Sequence, residues 1–207
     1  MPEIPGIEYA ISSNEAFYLR EFPREVTVIG GGYIGLEAAA SFCKAGLNVH
    51  LVEAADRLLA RVASPDMSAF FHDLHKGHGV MIYTGMTQTK FHQKDGLFTG
   101  ITLDTGEKIS AELLVVGIGV VPESVLADAI GAETGNGILV DRQMRTTIED
   151  IYAIGDVALV EGAALRVESV HNAQDTAARA AADIAKTPLP DISIPWFWSE
   201  QYDSVSK

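Results

Sequence analysis

The chain has 207 residues, of which 47% are hydrophobic and 21% charged, and its formal net charge is −13. That length and balance suit one large domain or two small ones with a buried core, and exclude a disordered tail, a collagen-like repeat or a low-complexity segment. So acidic a chain is repelled by nucleic-acid phosphates and by anionic lipid, and neither is expected as a partner.

Residues 1–24 carry Pro2, Pro5 and Pro23 and no strand pattern. They read as a lead-in, and Met1-Pro2-Glu3-Ile4 lacks the basic and apolar regions of a secretion signal. Val26-Thr27-Val28-Ile29 predicts a short strand ending in Gly30-Gly31-Gly32-Tyr33-Ile34-Gly35, followed by an Ala- and Leu-rich helix from Leu36 to Ala45. Cys43, on that helix, is the sole cysteine, which excludes an internal disulfide, a C-x-x-C pair and a cysteine metal cluster. We expect it to be a buried, inert thiol. Gly46 stops the helix, and Val49-His50-Leu51-Val52 predicts a second strand ending at Glu53. Strand, glycine turn, helix and strand in succession make a βαβ unit.

Ser64-Pro65-Asp66 has the hydroxyl cap, first-position proline and early acid of a helix start. Met67, Phe70, Phe71 and Leu74 then fall on one helical face, predicted to be the apolar one. His72, His75 and His78 lie toward its end without a carboxylate at ligand spacing, and read as solvated helix-end residues rather than a metal site. Gly77 and Gly79 close the helix before a strand at Val80–Tyr83. Between Thr87 and Ile109, Asp95-Gly96 and Asp104-Thr105-Gly106 punctuate a polar, alternating stretch, which predicts a small antiparallel meander. Leu113-Leu114-Val115-Val116 predicts a buried parallel strand. The longest apolar run, around Leu113–Val121, falls well short of the roughly 18 residues that span a bilayer. A soluble, cytoplasmic protein is the expectation.

A boundary is expected near Gly117. Beyond Gly117-Ile118-Gly119 the sequence predicts a short helix around Glu123–Ala129, strands at Ile138–Val140 and Ile151–Ile154, and then Gly155-Asp156. An Ala-rich helix from Asn172 to Lys186 follows, before Pro188, Pro190 and Pro195 break the chain. Trp196-Phe197-Trp198-Ser199-Glu200-Gln201-Tyr202 comes near the end, with no closing element predicted. The fold class is α/β: a Rossmann-like dinucleotide-binding domain over residues 25–116, with a parallel sheet and the small meander, and a second domain over residues 117–207.

The spacing Gly30, Gly32, Gly35 is a weak signal as a bare string, but here a strand precedes it, a helix follows, and an acid ends the next strand. Gly30 permits the tight turn, Gly32 lets a pyrophosphate approach the backbone, and Gly35 permits close helix–strand packing. The helix start offers N–H groups and a positive dipole end to the phosphates. Glu53 stands where a carboxylate would accept hydrogen bonds from both hydroxyls of the adenosine ribose and oppose a 2′-phosphate, so NADH is expected over NADPH. Arg57 could soften that discrimination. Glu37, read as lying in the first turn of the helix, has a dipole-complementing surface role as its plainest explanation. No Ser-His-Asp or paired-carboxylate arrangement can be argued from spacing.

The runs GGGYIGLE, VVGIGVVPE, TTIEDIYAIGD, RVESVHNAQDTAARAA and PWFWSEQYD, with the acid at Glu53, together resemble the NADH-dependent ferredoxin reductases. These are FAD enzymes of the pyridine nucleotide-disulfide oxidoreductase superfamily. The lead-in IPGIEYAISSNEAFYL is more similar to the hinge of glutathione reductases. The resemblance implies that Gly30, Gly32, Tyr33, Ile34, Gly35 and Glu53 bind NAD, with Gly117, Ile118 and Gly119 beside it and Glu37 near the nicotinamide carboxamide. It implies that Gly155 and Asp156 contact the ribityl chain of FAD, Ser169 and Val170 the flavin ring, and Trp198 the flavin face on the electron-acceptor side. The implied reaction passes a hydride from nicotinamide C4 to flavin N5, then single electrons to a ferredoxin-type iron–sulfur protein. It needs no side-chain acid or base and no metal.

Relatives in that family open with an FAD segment carrying its own G-x-G-x-x-G and close with a further domain, whereas this sequence has one such turn. Residues 117–207 then correspond to the returning half of an FAD-binding domain, and the chain by itself is expected to be inactive. Two other readings stand beside this one: a dinucleotide-binding module without turnover, and a fragment of a glutathione-reductase-like disulfide reductase. PWFWSEQYD argues against the latter.

Overall fold

In the computed structural model, residues 6–191, 193–194 and 196–206 are described. Met1-Pro2-Glu3-Ile4, read above for a leader, and Pro195, read as a chain break, lie outside them. The chain divides into two units, one running to Gly119 and including Ser199–Ser206, the other Val120–Trp198.

In the first unit a one-turn helix, α1 (Ser13–Ala16), starts on a capping box in which Ser12 and Glu15 satisfy each other's backbone N–H groups. There follow β1 (Glu25–Ile29), α2 (Tyr33–Lys44), β2 (Asn48–Glu53), α3 (Pro65–Gly77) and β3 (Met81–Thr84). The meander is β4 (Gln88–Lys94), β5 (Leu97–Leu103) and β6 (Lys108–Ser110), antiparallel as expected, and β7 (Leu113–Val116) completes the unit's main sheet. That sheet is parallel, in the order β3-β2-β1-β7. The chain leaves β1 in one direction for β2 and β3, then returns to β1's other edge as β7. The crevice at the carboxyl end of β1 is therefore the point where strand order reverses, which is where open α/β sheets bind ligands.

Both faces of the sheet's centre are covered, so β1 and β7 are buried along nearly their whole length, while the outer β3 is only partly buried. Val26, Val28, Leu51 and Val115 face a cluster with Leu36, Ala39 and Phe42 of α2 and Phe71 of α3. Ile29, Val52, Leu114 and Val116 face Phe91, Ile101 and Ile109 of the meander. The lead-in is part of this unit: Ile11 forms an isolated parallel bridge to Val115, its N–H donating to the Leu114 carbonyl at 2.9 Å.

The expected apolar face of α3 is rotated. Met67 and Phe70 are 40% and 49% exposed, and the buried stripe is Ser68, Phe71 and His75. Two polar residues displace the apolar ones because each finds partners inside. The Ser68 hydroxyl donates to the Leu58 carbonyl at 2.6 Å and accepts from Arg57 at 2.7 Å. His75 is paired on both ring nitrogens.

The second unit holds α4 (Val125–Ala129), β8 (Thr134–Gly135), β9 (Gly137–Val140), β10 (Ala158–Val160) and α5 (Val170–Ile184), with the sheet order β10-β9-β8. Its core is Val140, Met144, Ala153, Ala158 and Ala180. The strand expected at Ile151–Ile154 is reduced to one antiparallel bridge, Arg145 to Tyr152, with Ala153 N–H on the Met144 carbonyl at 3.1 Å. A strand exists only through a paired neighbour, and among the described residues this segment has a single bridging partner. Side chains hold it instead. Tyr152 Oη donates to Asp183 of α5 at 2.6 Å, and Arg145 forks onto the same carboxylate at 2.8 and 2.5 Å. Arg145 first, then Tyr152, pull the Asp183 carboxyl down to about 2.

A closing element exists after all. β11 (Ser199–Gln201) and β12 (Ser204–Ser206) pair as an antiparallel hairpin that belongs to the first unit, so the second does not run unbroken from residue 117 to 207. No helix among the described residues is long and apolar enough to cross a membrane.

Candidate functional site

The glycine turn between β1 and α2 is an interlocked piece of backbone. Gly30 has φ +111°, and a side-chain carbon there would run into the Gly117 carbonyl at the end of β7. One at Gly35 would run into the Gly30 carbonyl, and one at Gly117 would press on the Gly35 nitrogen at 3.3 Å. Three glycines thus let β1, β7 and α2 converge at the switch point. Gly32, the N-cap of α2, differs: nothing lies within 4 Å of where its side chain would stand, and no side chain caps the helix there. The open side of the turn is the start of a twelve-residue helix, the positive end of its dipole.

Glu53, at the end of β2, reaches back into this turn. Its Oε2 accepts the Gly31 N–H at 2.5 Å and its Oε1 the Ala55 N–H at 2.7 Å. The carboxylate is therefore held by backbone donors beside the turn, with lone pairs left over for a ligand. Gly31, a filler position in the motif, is a residue that spacing alone did not single out. A side-chain carbon there would meet Leu58 Cδ2 at 2.7 Å and the Glu53 Cβ and Cγ at 3.0 Å. Arg57 is engaged within its own loop. Its guanidinium is spent on the Ala63 and Ala60 carbonyls, both at 2.9 Å, and on Ser68, bracing the loop before α3.

Beyond β7, Ile118 is 51% exposed and Gly119 takes φ +112°. Glu37 is not in the first turn of α2, as expected above, but in the second, where the dipole gives it little reason to be. Its Oε1 accepts a hydrogen bond from the Ser199 hydroxyl at 2.7 Å. Of the three histidines expected at the solvated helix end, one is not there. His75 is fully buried, its ring between Gln201 at 2.7 Å and Tyr202 at 3.1 Å, and burial holds its pKa below the ordinary range. His72 and His78 do lie toward solvent. No group of three His, Cys, Asp or Glu side chains able to hold a metal occurs among the described residues. Cys43 is half-buried rather than buried, its thiol on the His78 carbonyl at 3.1 Å.

In the second unit Gly155 adopts φ +70° and donates its N–H to the Thr176 hydroxyl at 2.9 Å. Asp156 is exposed, and its backbone carbonyl accepts from Arg166, which also pairs with Glu168 at 2.7 Å. Ser169 is the N-cap of α5, its hydroxyl accepting the Asn172 N–H at 3.1 Å, which leaves Val170 at the helix start 55% exposed. Trp198 packs on Trp196 at 5.7 Å between ring centroids, and Trp196 on His171 at 5.1 Å. No motif or spacing singles out Thr176, Arg166, Ser199 or Gln201. Their signal is only a polar residue at an inward position, and a short polar strand or helix face looks the same when solvated.

The sequence matches the pyridine nucleotide-disulphide oxidoreductase family over residues 1–177. It is 48% identical over 183 residues to the 5,5′-dehydrodivanillate O-demethylase ferredoxin reductase subunit of Sphingobium sp., covering 85% of this chain and 44% of that protein. It is 43% identical over 208 residues to rhodocoxin reductase of Rhodococcus erythropolis, covering 97% and 49%. The crystal structure of a ferredoxin reductase for the CYP199A2 system of Rhodopseudomonas palustris superimposes with a TM-score of 0.83 at 40% identity, over 93% of this chain and 48% of that one. The chain spans about half the length of the curated relatives it matches.

Proposed function

The chain belongs to the pyridine nucleotide-disulphide oxidoreductase family, and from that premise we propose that it is the NADH-binding unit and part of the FAD-binding domain of a ferredoxin reductase, working in the cytoplasm. The observation that carries this reading is the open glycine turn with Glu53 tied to its backbone.

The residues present fit NADH. Gly32 leaves room for a pyrophosphate against the start of α2, where the Tyr33 and Ile34 backbone also lies. Glu53 would accept the ribose hydroxyls, and Arg57, occupied elsewhere, offers no compensation to a 2′-phosphate. Gly117, Ile118 and Gly119 would border the nicotinamide side, and Glu37 would take its carboxamide. They also fit part of an FAD site. The left-handed turn at Gly155 would present the exposed Asp156 carboxylate to ribityl hydroxyls, while Ser169, Val170 and Trp198 would lie along the ring. FAD, when bound, supplies the chemistry that accepts a hydride and gives up electrons one at a time. The protein's part is to bind, orient and exclude water. A ferredoxin-type iron–sulfur protein as acceptor is supported by the ferredoxin reductase subunit at 48% identity and by the ferredoxin reductase at TM-score 0.83.

Titrating the 207-residue chain with NADH and with NADPH, following nicotinamide fluorescence, tests the reading. NADH is expected to bind more tightly; equal or reversed affinities would overturn the assignment of Glu53.

A further inference from the structure

The tail hairpin connects five side chains into one directed chain of hydrogen bonds. Ser199 Oγ lies 2.7 Å from Glu37 Oε1, and Gln201 Nε2 lies 2.9 Å from Ser199 Oγ. Gln201 Oε1 lies 2.7 Å from His75 Nε2, and Tyr202 Oη 3.1 Å from His75 Nδ1. The carboxylate forces the direction of every link. An ionised Glu37 only accepts, so it takes the single hydroxyl hydrogen of Ser199. Ser199 must then accept from the Gln201 amide nitrogen, which turns Gln201 Oε1 toward His75. That oxygen accepts from His75 Nε2–H, leaving Nδ1 to accept from Tyr202.

This is no surface decoration. His75, Gln201 and Ser199 are 0%, 1% and 4% exposed, and buried polar groups of this kind are costly unless each partner is in place. The outer end is anchored as well. The Tyr202 ring stacks on His78 at 3.7 Å between centroids, and its carbonyl accepts from Lys44 Nζ at 3.3 Å. The hairpin is thereby clamped to the carboxyl ends of α2 and α3. Its inner end arrives at one oxygen of a carboxylate in the second turn of α2, just past the glycine turn.

We propose that Ser199 is a positioning residue: it holds the Glu37 carboxylate in the one orientation that receives the carboxamide of NADH, and the His75–Gln201 pair keeps Ser199 in place. The inference rests on the NADH reading above. A glutamate on three free rotors must be ordered when the ligand binds, and that entropy opposes binding. With Oε1 taken by Ser199 the side chain is ordered beforehand, and the other oxygen remains for the ligand.

The test compares NADH with ADP-ribose, which has the adenosine and pyrophosphate but no nicotinamide. Each is titrated calorimetrically into the wild-type chain, Ser199→Ala, Ser199→Thr, Glu37→Gln and the Ser199→Ala/Glu37→Gln pair. Ser199→Ala is expected to weaken NADH about five- to tenfold, the scale of one hydrogen bond's usual net contribution, and to leave ADP-ribose unchanged. Ser199→Thr should restore NADH affinity, and Ser199→Ala should add nothing once Glu37 is glutamine. If wild type binds both ligands and Ser199→Ala binds NADH equally well, the inference is overturned and the NADH reading survives. A loss of both ligands in Ser199→Ala overturns it too, since the hairpin would then be only structural. Wild type that binds neither ligand overturns the NADH reading, and this inference with it.

Discussion

At the scale of single residues, Glu53 does two things with one carboxylate. It accepts backbone N–H groups at Gly31 and Ala55 on its two oxygens, and in the proposed site it would also offer lone pairs to a ribose. Glu53→Ala should weaken NADH by about 1–3 kcal/mol, the scale of lost hydrogen bonds to a charged group. Glu53→Gln should do nearly the same harm, because an amide sets an NH2 against one of the two N–H donors; calorimetric titration of both variants checks this. His75 carries a second expectation. Burial first, and then the nearby His78, keep its folded-state pKa below the usual value, while Gln201 opposes the shift. In the unfolded chain it titrates near about 6.5. The unfolded state therefore binds more protons as pH falls below that value, so the stabilisation is full above it and is lost on going down toward the folded pKa. Urea midpoints should drop between neutral pH and about pH 5.5, a window set by that unfolded value. His50, also desolvated, contributes with the same sign, so His75→Gln should shallow the slope without flattening it.

At the scale of elements, α3 shows how a correct helix can present an unexpected face. Its start was legible, since Ser64 caps the Met67 N–H and Pro65 follows it. Its orientation was not, because Ser68 and His75 are buried by partners outside the helix, at Leu58 in the preceding loop and at Gln201 far along the chain. Phe70 and Phe71 are adjacent and both aromatic, yet only Phe71 is buried, at 5% exposed. Phe71→Ala should cost about 3–5 kcal/mol in stability, as large-to-small core changes do. Phe70→Ala should stay within about 0.5 kcal/mol, the range of surface substitutions. Denaturant titration of the two variants separates the faces, and equal costs would contradict the orientation described here.

At the scale of the whole molecule, the two units contribute unequally to the two ligands. The first carries the one dinucleotide-type glycine turn in the sequence, with the uncapped start of α2 behind it. In the second, the candidate FAD contacts are Gly155, Asp156, Ser169, Val170 and Trp198, which would serve ribityl chain and ring rather than phosphates and adenine. The purified 207-residue chain should accordingly bind NADH and carry little flavin. Absorbance in the flavin region, with and without added FAD, measures this. Stoichiometric retained flavin would show that the second unit binds more of the ligand than these residues account for.

What the sequence by itself determined is what local chemistry dictates. Glycines at Gly30 and Gly35 are required wherever backbones must touch, a Ser-Pro-Asp start nucleates a helix in any setting, and alternation with Asp-Gly turns makes a meander. Period and turn residue write such features into a few consecutive positions. Tertiary structure alone decided the rest: that Glu53 ties the turn it follows, that Arg57 is spent on a loop, that Ile151–Ile154 forms one bridge rather than a strand, and that Ser199 and Gln201 bury themselves between α2 and His75. A polar side chain has the same local signature in solvent and in a core. Which it enters depends on whether a partner from a distant stretch arrives to satisfy its hydrogen bonds, and only the folded chain brings those stretches together.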